Sequence, residues 1–420
     1  MFIHIDIDSF FISAHRIGNP KLRDIPAAVG SRSNLEIFNK DRANIKLLNI
    51  NSGAFVTPVF HNDFQKTFEN YFVDRELNKR KIRGIITTAS YEARAYGVKT
   101  GMPIAKALSL CPQLIVVPSN YTLYHKLSKA LYIELKREIP LIEQYSIDEF
   151  FGKLDGWILD KDAFSFSKEL QQKIYKKFLL PVSIGVAKSK YIAKVATNFA
   201  KPNGVYLVQN QNEFIKDIPI EKFPGIGKGL TKRLHSYGIK KLGDICENRE
   251  LLYRWKLPGI ELYNRVCRSG GDIKQKEPKK SIGLSRTFDE INDYNEIKRR
   301  VIVMARYISY MVKRAKVNPT RFELKINYSD GYKRKEAITQ NRLFSEHLLK
   351  ESLIKILDNI WSKNRGVIKL RVSVYNFQTT KKTLSLLEYE DDIKHKNIDI
   401  AVTKLRDRFG LDILKSGREI

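Results

Sequence analysis

Ile3-His4-Ile5-Asp6-Ile7-Asp8, running directly into Ser9-Phe10-Phe11-Ile12, opens this chain with an apolar strand that turns into a helix. Period-two alternation sets Ile3, Ile5 and Ile7 on one face and His4, Asp6 and Asp8 on the other, so the acidic face is not the core face. A second acidic cluster, Asp148-Glu149, lies in Ser146-Ile147-Asp148-Glu149. Carboxylates gathered at strand ends suit Mg²⁺, a hard cation that takes one or two of them together with substrate phosphates. Read alone, each cluster has an ordinary alternative. Asp8-Ser9 before an apolar run fits a helix N-cap, and Asp148-Glu149 fits a solvated hairpin tip. The sequence therefore assigns Asp8 to the cap and Asp6 to a metal.

The chain carries 75 Lys+Arg against 46 Asp+Glu, a formal charge of +29. That excess repels itself unless a polyanion is the working partner, with nucleic acid ahead of a membrane surface. A length of 420 residues predicts two to four domains. Acids by position 6 do not fit a secretory leader, and the longest uncharged stretch, Ala107 to His125, is broken by Pro112 and Pro118. The protein is expected to be soluble and intracellular, in the cytoplasm, with no membrane contact. Cys111, Cys246 and Cys267 are too dispersed for zinc and too few for a disulfide framework, so they read as reduced core residues.

Residues 1 to about 210 mix strands and helices, with Val182-Ser183-Ile184-Gly185-Val186 leading into a helix through Lys190, Ala193, Val195 and Phe199. From Pro219 the texture changes to short helices punctuated by glycine. Polar, basic Ser269 to Lys280 reads as a linker. Beyond it come a strand (Ser281–Phe288), a helix (Glu296–Lys316), two strands across Ser329-Asp330-Gly331 (Arg321–Tyr328 and Tyr332–Gln340), a helix (Leu348–Trp361) and a strand (Ile368–Val374). This βαββαβ order is the split βαβ arrangement. Between 273 and 380 there are 24 Lys+Arg against 11 Asp+Glu, which favours a sheet face that meets phosphates over one that is merely solvated.

Further motifs raise the odds for chemistry on a polyanion. Tyr91 and Arg94, three apart in Ala89-Ser90-Tyr91-Glu92-Ala93-Arg94, can point the same way, and Arg grips phosphate oxygens in pairs. Ala200-Lys201-Pro202-Asn203-Gly204 adds a cation at a turn. Gly225-Ile226-Gly227 entering a helix at Lys228 exposes backbone N–H groups to a DNA phosphate, and Leu257-Pro258-Gly259-Ile260 is a poorer second copy. Singly, Tyr-x-x-Arg is a common surface pattern and a glycine loop a common tight turn.

In this order the motifs, with Lys280-Ser281-Ile282-Gly283, resemble the Y-family translesion DNA polymerases, in the branch of DNA polymerase IV. The resemblance spans nearly the whole chain and implies an α+β multidomain, right-hand polymerase with a ferredoxin-like palm. The palm would be 1–10 and 123–210, the fingers 11–122, a helix-hairpin-helix thumb 211–271, a basic linker 272–281, a βαββαβ little finger 282–378 and a tail 379–420. It implies low-fidelity, template-directed addition of deoxynucleotides to a primer on damaged DNA. Asp6, Asp148 and Glu149 match the metal-binding carboxylates for two Mg²⁺ ions, with the Ile7 carbonyl as a further ligand. Tyr91, Arg94 and Lys201 match the triphosphate grip, helped by the backbone N–H groups of Ser9 and Phe10. Phe11 matches the steric gate against a ribose 2′-OH. Gly225, Gly227 and Lys228 would hold a DNA phosphate. Primer-template DNA and deoxynucleoside triphosphates are the implied partners, and the protein is expected to be a monomer.

Three features depart from the family pattern. A surplus at about 34–81 interrupts the fingers, with a helix expected over Asp63 to Leu77 packed on them. Phe150 stands where a smaller residue is usual. Lys382-Thr383-Leu384-Ser385-Leu386-Leu387 resembles a degraded sliding-clamp peptide, although its leucines could instead pack on a following helix through Ile398, Ala401, Leu405 and Phe409. The rival readings are a catalytically inactive DNA-binding repair scaffold of the same fold, and an RNA-synthesising or nucleotide-cyclising enzyme on a similar palm.

Overall fold

The computed structural model describes residues 1–41, 46–47, 60–61, 67–76, 79–273, 280–378 and 388–420. These fall into two compact units, one containing Met1–Ser31 and Lys66–Glu277, the other containing residues from Arg32–Asn49 together with Pro278–Ile420.

The first unit is built on a five-stranded sheet in the order Val205–Leu207, Val182–Ala187, Phe2–Ile7, Glu149–Lys153, Leu141–Gln144. The N-terminal strand is central and antiparallel to both neighbours. Ile3, Ile5 and Ile7 pack with Leu131, Leu135, Leu170 and Ile174 of the helices Tyr121–Glu138 and Ala163–Phe178 on one side. The helix Lys190–Ala200 covers the other side, where Phe2 and Ala187 join Ala193 and Ala196. Covering both faces takes the acidic one out of bulk water, and His4, Asp6 and Asp8 are all buried. Phe150 points into the core beneath the sheet, opposite Tyr132, on the face away from Glu149.

A three-stranded sheet, Ile85–Ala89, Ala27–Ser31 and Ile115–Pro118, carries the helices Tyr91–Ala95 and Ile104–Leu110. Of the helix expected over Asp63 to Leu77, the described residues contain Phe68–Phe72, started by a Thr67–Asn70 capping box, with the strand Val73–Glu76 after it. A hairpin, Val73–Glu76 with Lys79–Ile82, follows it. Phe72 is fully buried with Ala28, Ile86 and Ile104. Short helices from Gln211 to Cys267 form the glycine-punctuated module. Two expectations fail there. Cys246 and Cys267, 21 residues apart, form a disulfide because the helices Leu242–Glu247 and Leu257–Cys267 pack together, a proximity that spacing cannot reveal. Gly259 is not a second phosphate grip: it is buried, and a Cβ there would meet the Leu252 carbonyl oxygen at 1.9 Å, so the residue serves helix packing.

The second unit contains an antiparallel sheet in the order Ser281–Ile291, Val367–Gln378, Asn318–Tyr328, Lys333–Thr339, with helices Tyr294–Ala315 and Glu346–Ile360. The alternation puts Phe322, Leu324, Ile326 and Tyr328 into the core. Lys325 stands opposite Arg371 on one neighbouring strand and Lys335 on the other. Like charges placed opposite one another destabilise a sheet.

Two segments join this unit where the sequence did not place them. Part of the surplus, expected on the fingers, packs here: Ile37 and Phe38 are buried in the second unit's core. Arg299 donates to the Phe38 carbonyl at 2.9 Å, and Lys415 Nζ donates to the carbonyls of Asn39, Lys40 and Asp41. An apolar pair six and seven residues past a sheet strand looks like any other local apolar pair, which hides this partner from the sequence. The C-terminal helix Tyr389–Phe409 is also docked, through Arg342 to Asp392 at 2.7 Å and Arg406 to Glu346 at 2.5 Å. Beyond it, Arg306 is buried and paired with Asp412 and Glu419. Lys382 to Leu387 lies outside the described residues, as do Phe55 and Phe64 of the surplus. No described helix is long and apolar enough to cross a membrane.

Candidate active site

Asp6 lies opposite Glu149 in the register of the two central strands, and the Ile7 N–H donates to the Asp148 carbonyl at 3.0 Å. Pairing of the strands therefore brings the two distant acidic clusters to one end of one sheet. Paired residues share a face, so Asp6 and Glu149 look the same way, toward the helix Lys190–Ala200. Among the described residues no three acidic or imidazole side chains already form a metal-binding group. Each carboxylate is instead held by another partner. Lys201 Nζ contacts Asp6 Oδ1 at 2.6 Å, Lys194 Nζ contacts Glu149 Oε1 at 2.6 Å, and Ser146 Oγ donates to Asp148 Oδ1 at 2.5 Å.

The electrostatics show a site short of positive charge. Burial pushes the Asp6 carboxyl up to about 7 against the pull of Lys201, and Asp148 and Glu149 push it further. Burial likewise raises Asp148, with Glu149 adding to the shift. Acids held up by burial and by like charge are ones that a divalent cation would return to the ionised state. The oxygen-only donor set fits such a cation.

Asp8 is not a helix cap. The N-cap of the helix Phe10–Gly18 is Ser9, in a left-handed conformation with no side-chain cap bond. Asp8 is turned inward, where its carboxylate accepts from Tyr91 Oη at 3.0 Å, Ser183 Oγ at 2.7 Å and the Asn203 N–H at 2.8 Å. Local sequence suggested a cap, but three donors from distant segments outweigh it. Through Asp8, the strand end, Tyr91 and the turn after Lys201 are held in one place. Arg94 joins them, donating to Ser9 Oγ at 3.2 Å and to the Ala89 carbonyl at 3.0 Å. Burial, with Asp8 second, holds the Tyr91 phenol well above its usual range and protonated.

Phe11 is half-buried and stacks on Tyr124, with centroids 4.2 Å apart and planes 9° apart, while Tyr121 meets it edge-on. The Tyr124 hydroxyl lies 2.8 Å from His15 Nε2 and accepts from the Asn120 N–H at 3.0 Å, so this stack is anchored. Gly225 has a φ of +98°, natural for glycine. Gly227 is the N-cap of the helix Lys228–His235, and with Lys228, Thr231, Lys232 and Ile226 it lines a surface hollow. The sequence places Lys190 on this helix but marks neither it nor Lys194 and Thr197 as facing the acidic row; their spacing of four and three is the signal that they share a stripe.

The chain is similar to known proteins over most of its length. Three family descriptions match the chain: the impB/mucB/samB family over residues 63–198, the IMS family HHH motif over 208–239 and the impB/mucB/samB family C-terminal domain over 279–386. The chain is 30% identical to DNA polymerase IV of Salmonella arizonae over 378 residues, covering 87% of this chain and 92% of that protein. It is 27% identical to DNA polymerase IV of Bacillus velezensis over 430 residues, covering 99% and 92%. Among solved structures, a Y-family DNA polymerase chimera superposes with a TM-score of 0.66 at 25% identity, covering 90% of this chain and 98% of that one. The insertion ternary complex of Dbh DNA polymerase matches in fold, with a TM-score of 0.54 at 24% identity over 90% and 98%.

Proposed function

Because the chain belongs to the impB/mucB/samB family, in the DNA polymerase IV branch of the Y-family polymerases, we propose that Asp6, Asp148 and Glu149 are its catalytic carboxylates. The protein is a DNA-directed DNA polymerase that carries out translesion synthesis, on primer-template DNA with deoxynucleoside triphosphates. It uses divalent metal, which we take to be two Mg²⁺ ions held by the three carboxylates and the Ile7 carbonyl. When bound, the metal lowers the pKa of the primer 3′-OH and offsets charge on the leaving pyrophosphate.

The observation that carries the residue assignment is the register of Asp6 against Glu149, with Asp148 held next to Ile7. Tyr91, Arg94 and Lys201, with the Ser9 and Phe10 N–H groups, bind the triphosphate and orient it toward the primer. Tyr91 is kept protonated and so acts as a donor. Phe11, immobilised on Tyr124, occupies the space of a 2′-OH. Gly225, Gly227 and Lys228 hold a DNA phosphate without reading sequence. The basic row Lys335, Lys325 and Arg371 meets the duplex backbone.

Asp148→Ala tests the centre. Primer extension is expected to vanish while affinity for primer-template DNA stays close to wild type, and wild-type extension rates would overturn the assignment. A monomer acting on the bacterial nucleoid fits this substrate. The segment Lys382 to Leu387 is proposed to bind the replication clamp. Clamp pull-down is expected to fall when residues 382–387 are replaced by Gly/Ser, and equal recovery would discard that contact.

A further inference from the structure

We propose that Lys194 is a metal latch, a positioning residue that holds Glu149 while no metal is bound and sets how tightly the site takes a divalent cation. This rests on the assignment of Glu149 as a metal ligand. The helix Lys190–Ala200 presents Lys190, Lys194 and Thr197 in one stripe, and Lys201 continues it at the helix end. The facing row is Glu143, Glu149, His4 and Asp6. These share a face because Asp6 pairs with Glu149, His4 with Phe151 and Phe151 with Glu143. The rungs are Lys190 to Glu143 at 2.5 Å, Lys194 to Glu149 at 2.6 Å, Thr197 Oγ1 to His4 Nδ1 at 2.8 Å and Lys201 to Asp6 at 2.6 Å.

The lysines are not equivalent. Lys190 is buried and also donates to the Asp272 carbonyl at 2.9 Å, which makes it a structural brace. Lys201 is already assigned to the nucleotide. Lys194 is about a fifth exposed (22%), and its ammonium sits 4.8 Å from the centroid of the Tyr145 ring, which offers it a second hold beside Glu149. The Glu149 side chain is about four-fifths covered, and the Lys194 ammonium 2.6 Å from its Oε1 is the cation that meets it. Before metal arrives, Lys194 is that cation for Glu149. Afterwards it is a competitor, since the same oxygens cannot serve both at full strength and the two cations repel.

Removing the charge therefore has a sign that simple loss of structure does not share: metal binding tightens. The test is Mn²⁺ titration of the full-length protein without DNA or nucleotide at pH 8.5, reading free Mn²⁺ by electron paramagnetic resonance. Lys194→Met is expected to lower the Mn²⁺ dissociation constant roughly fivefold, the scale of a partly exposed ion pair, and Lys194→Arg to restore the wild-type value. Lys194→Gln serves where the Met variant melts early. Unchanged or weaker Mn²⁺ binding in Lys194→Met, or an Arg variant that behaves like Met, overturns the latch. Asp148→Ala in the same titration separates the two ideas. If it binds Mn²⁺ like wild type, the carboxylate assignment falls. If it loses the site while Lys194→Met leaves affinity unchanged, only the latch falls.

Discussion

Sugar discrimination can be graded by two substitutions, because the residue proposed as the gate is held by one identifiable neighbour. Phe11 stacks on Tyr124 at 4.2 Å with nearly parallel rings, and Tyr124 is itself fully buried and hydrogen-bonded at its hydroxyl. An apolar surface rejects an added hydroxyl by about 10²-fold when it cannot yield. Phe11→Ala removes the ring, so the ratio of kcat/KM for deoxyribonucleotide over ribonucleotide is expected to drop by about 10². Tyr124→Leu leaves the ring but removes its support. A stacked aromatic pair is worth about 0.5–1.5 kcal/mol beyond its area, which sets the loosening at about two- to tenfold. The assay is single-turnover incorporation opposite one template base with each sugar type. Because it is a ratio, partial unfolding of the Tyr124 variant cancels. A Phe11→Ala ratio within twofold of wild type, or a Tyr124→Leu effect larger than that of Phe11→Ala, would return Phe11 to the role of an ordinary packing aromatic.

Other consequences are as direct. Phe38→Ala empties a site in the second unit's core, where the ring meets Phe288 edge-on and Arg300 lies 4.8 Å from its centroid. The cost should be about 3–5 kcal/mol, read as a fall of about 2 M in the urea midpoint reported by Trp361, and an unchanged midpoint would show that residues 32–41 merely lie on the surface. Burial acts to raise Glu346, but Arg406 and Lys350 win and hold its carboxyl down at about 2 in the folded protein. A depressed carboxylate stabilises the fold above its unfolded value and loses that contribution as pH falls toward the folded one, here between about 4.5 and 2. Protease cleavage within 389–409 should therefore rise over that window, and Glu346→Gln should abolish the pH step; a step that persists would place the titration elsewhere. Lys228→Ala should weaken duplex binding and reduce the slope of log affinity against log salt by about 0.9, whatever the DNA sequence, while an unchanged slope would take Lys228 off the phosphate.

The sequence carried the elements where periodicity was long and clean. The helix Tyr294–Ala315 and the strand Asn318–Tyr328 lie within three residues of their predicted bounds, because 22 and 11 residues of regular alternation leave little choice. The strand Ile3 to Asp8 was equally legible, and so was the face that carries Asp6, but not the helix Lys190–Ala200 that buries that face. What sequence could not supply was partnership at a distance. Asp8 has the local look of a cap, yet its donors come from Tyr91, Ser183 and Asn203. Cys246 and Cys267 look isolated until two helices bring them together. Ile37 and Phe38 leave a strand of the first unit and bury themselves in the second. In each case the deciding energy is a tertiary contact, and nothing in the nearest ten residues signals it.

Partner exchange also explains why so basic a protein keeps its acids where it does. The three side chains proposed to bind the triphosphate already have partners, Lys201 in Asp6, Arg94 in Ser9 and Tyr91 in Asp8, and Lys194 holds Glu149 beside them. A nucleotide that drew Lys201 to its phosphates would leave Asp6 buried beside two other carboxylates with its counter-charge gone, a state that the rise of its carboxyl to about 7 already marks as costly. A metal ion that took Asp6 would strand Lys201 in turn, until phosphate arrived. Each ligand repairs the imbalance the other creates, so the two should bind with positive coupling, and by linkage the factor is the same whichever comes first. The lysine stripe thus offsets part of the carboxylate charge before either ligand binds, while making the site a poor host for either ligand alone.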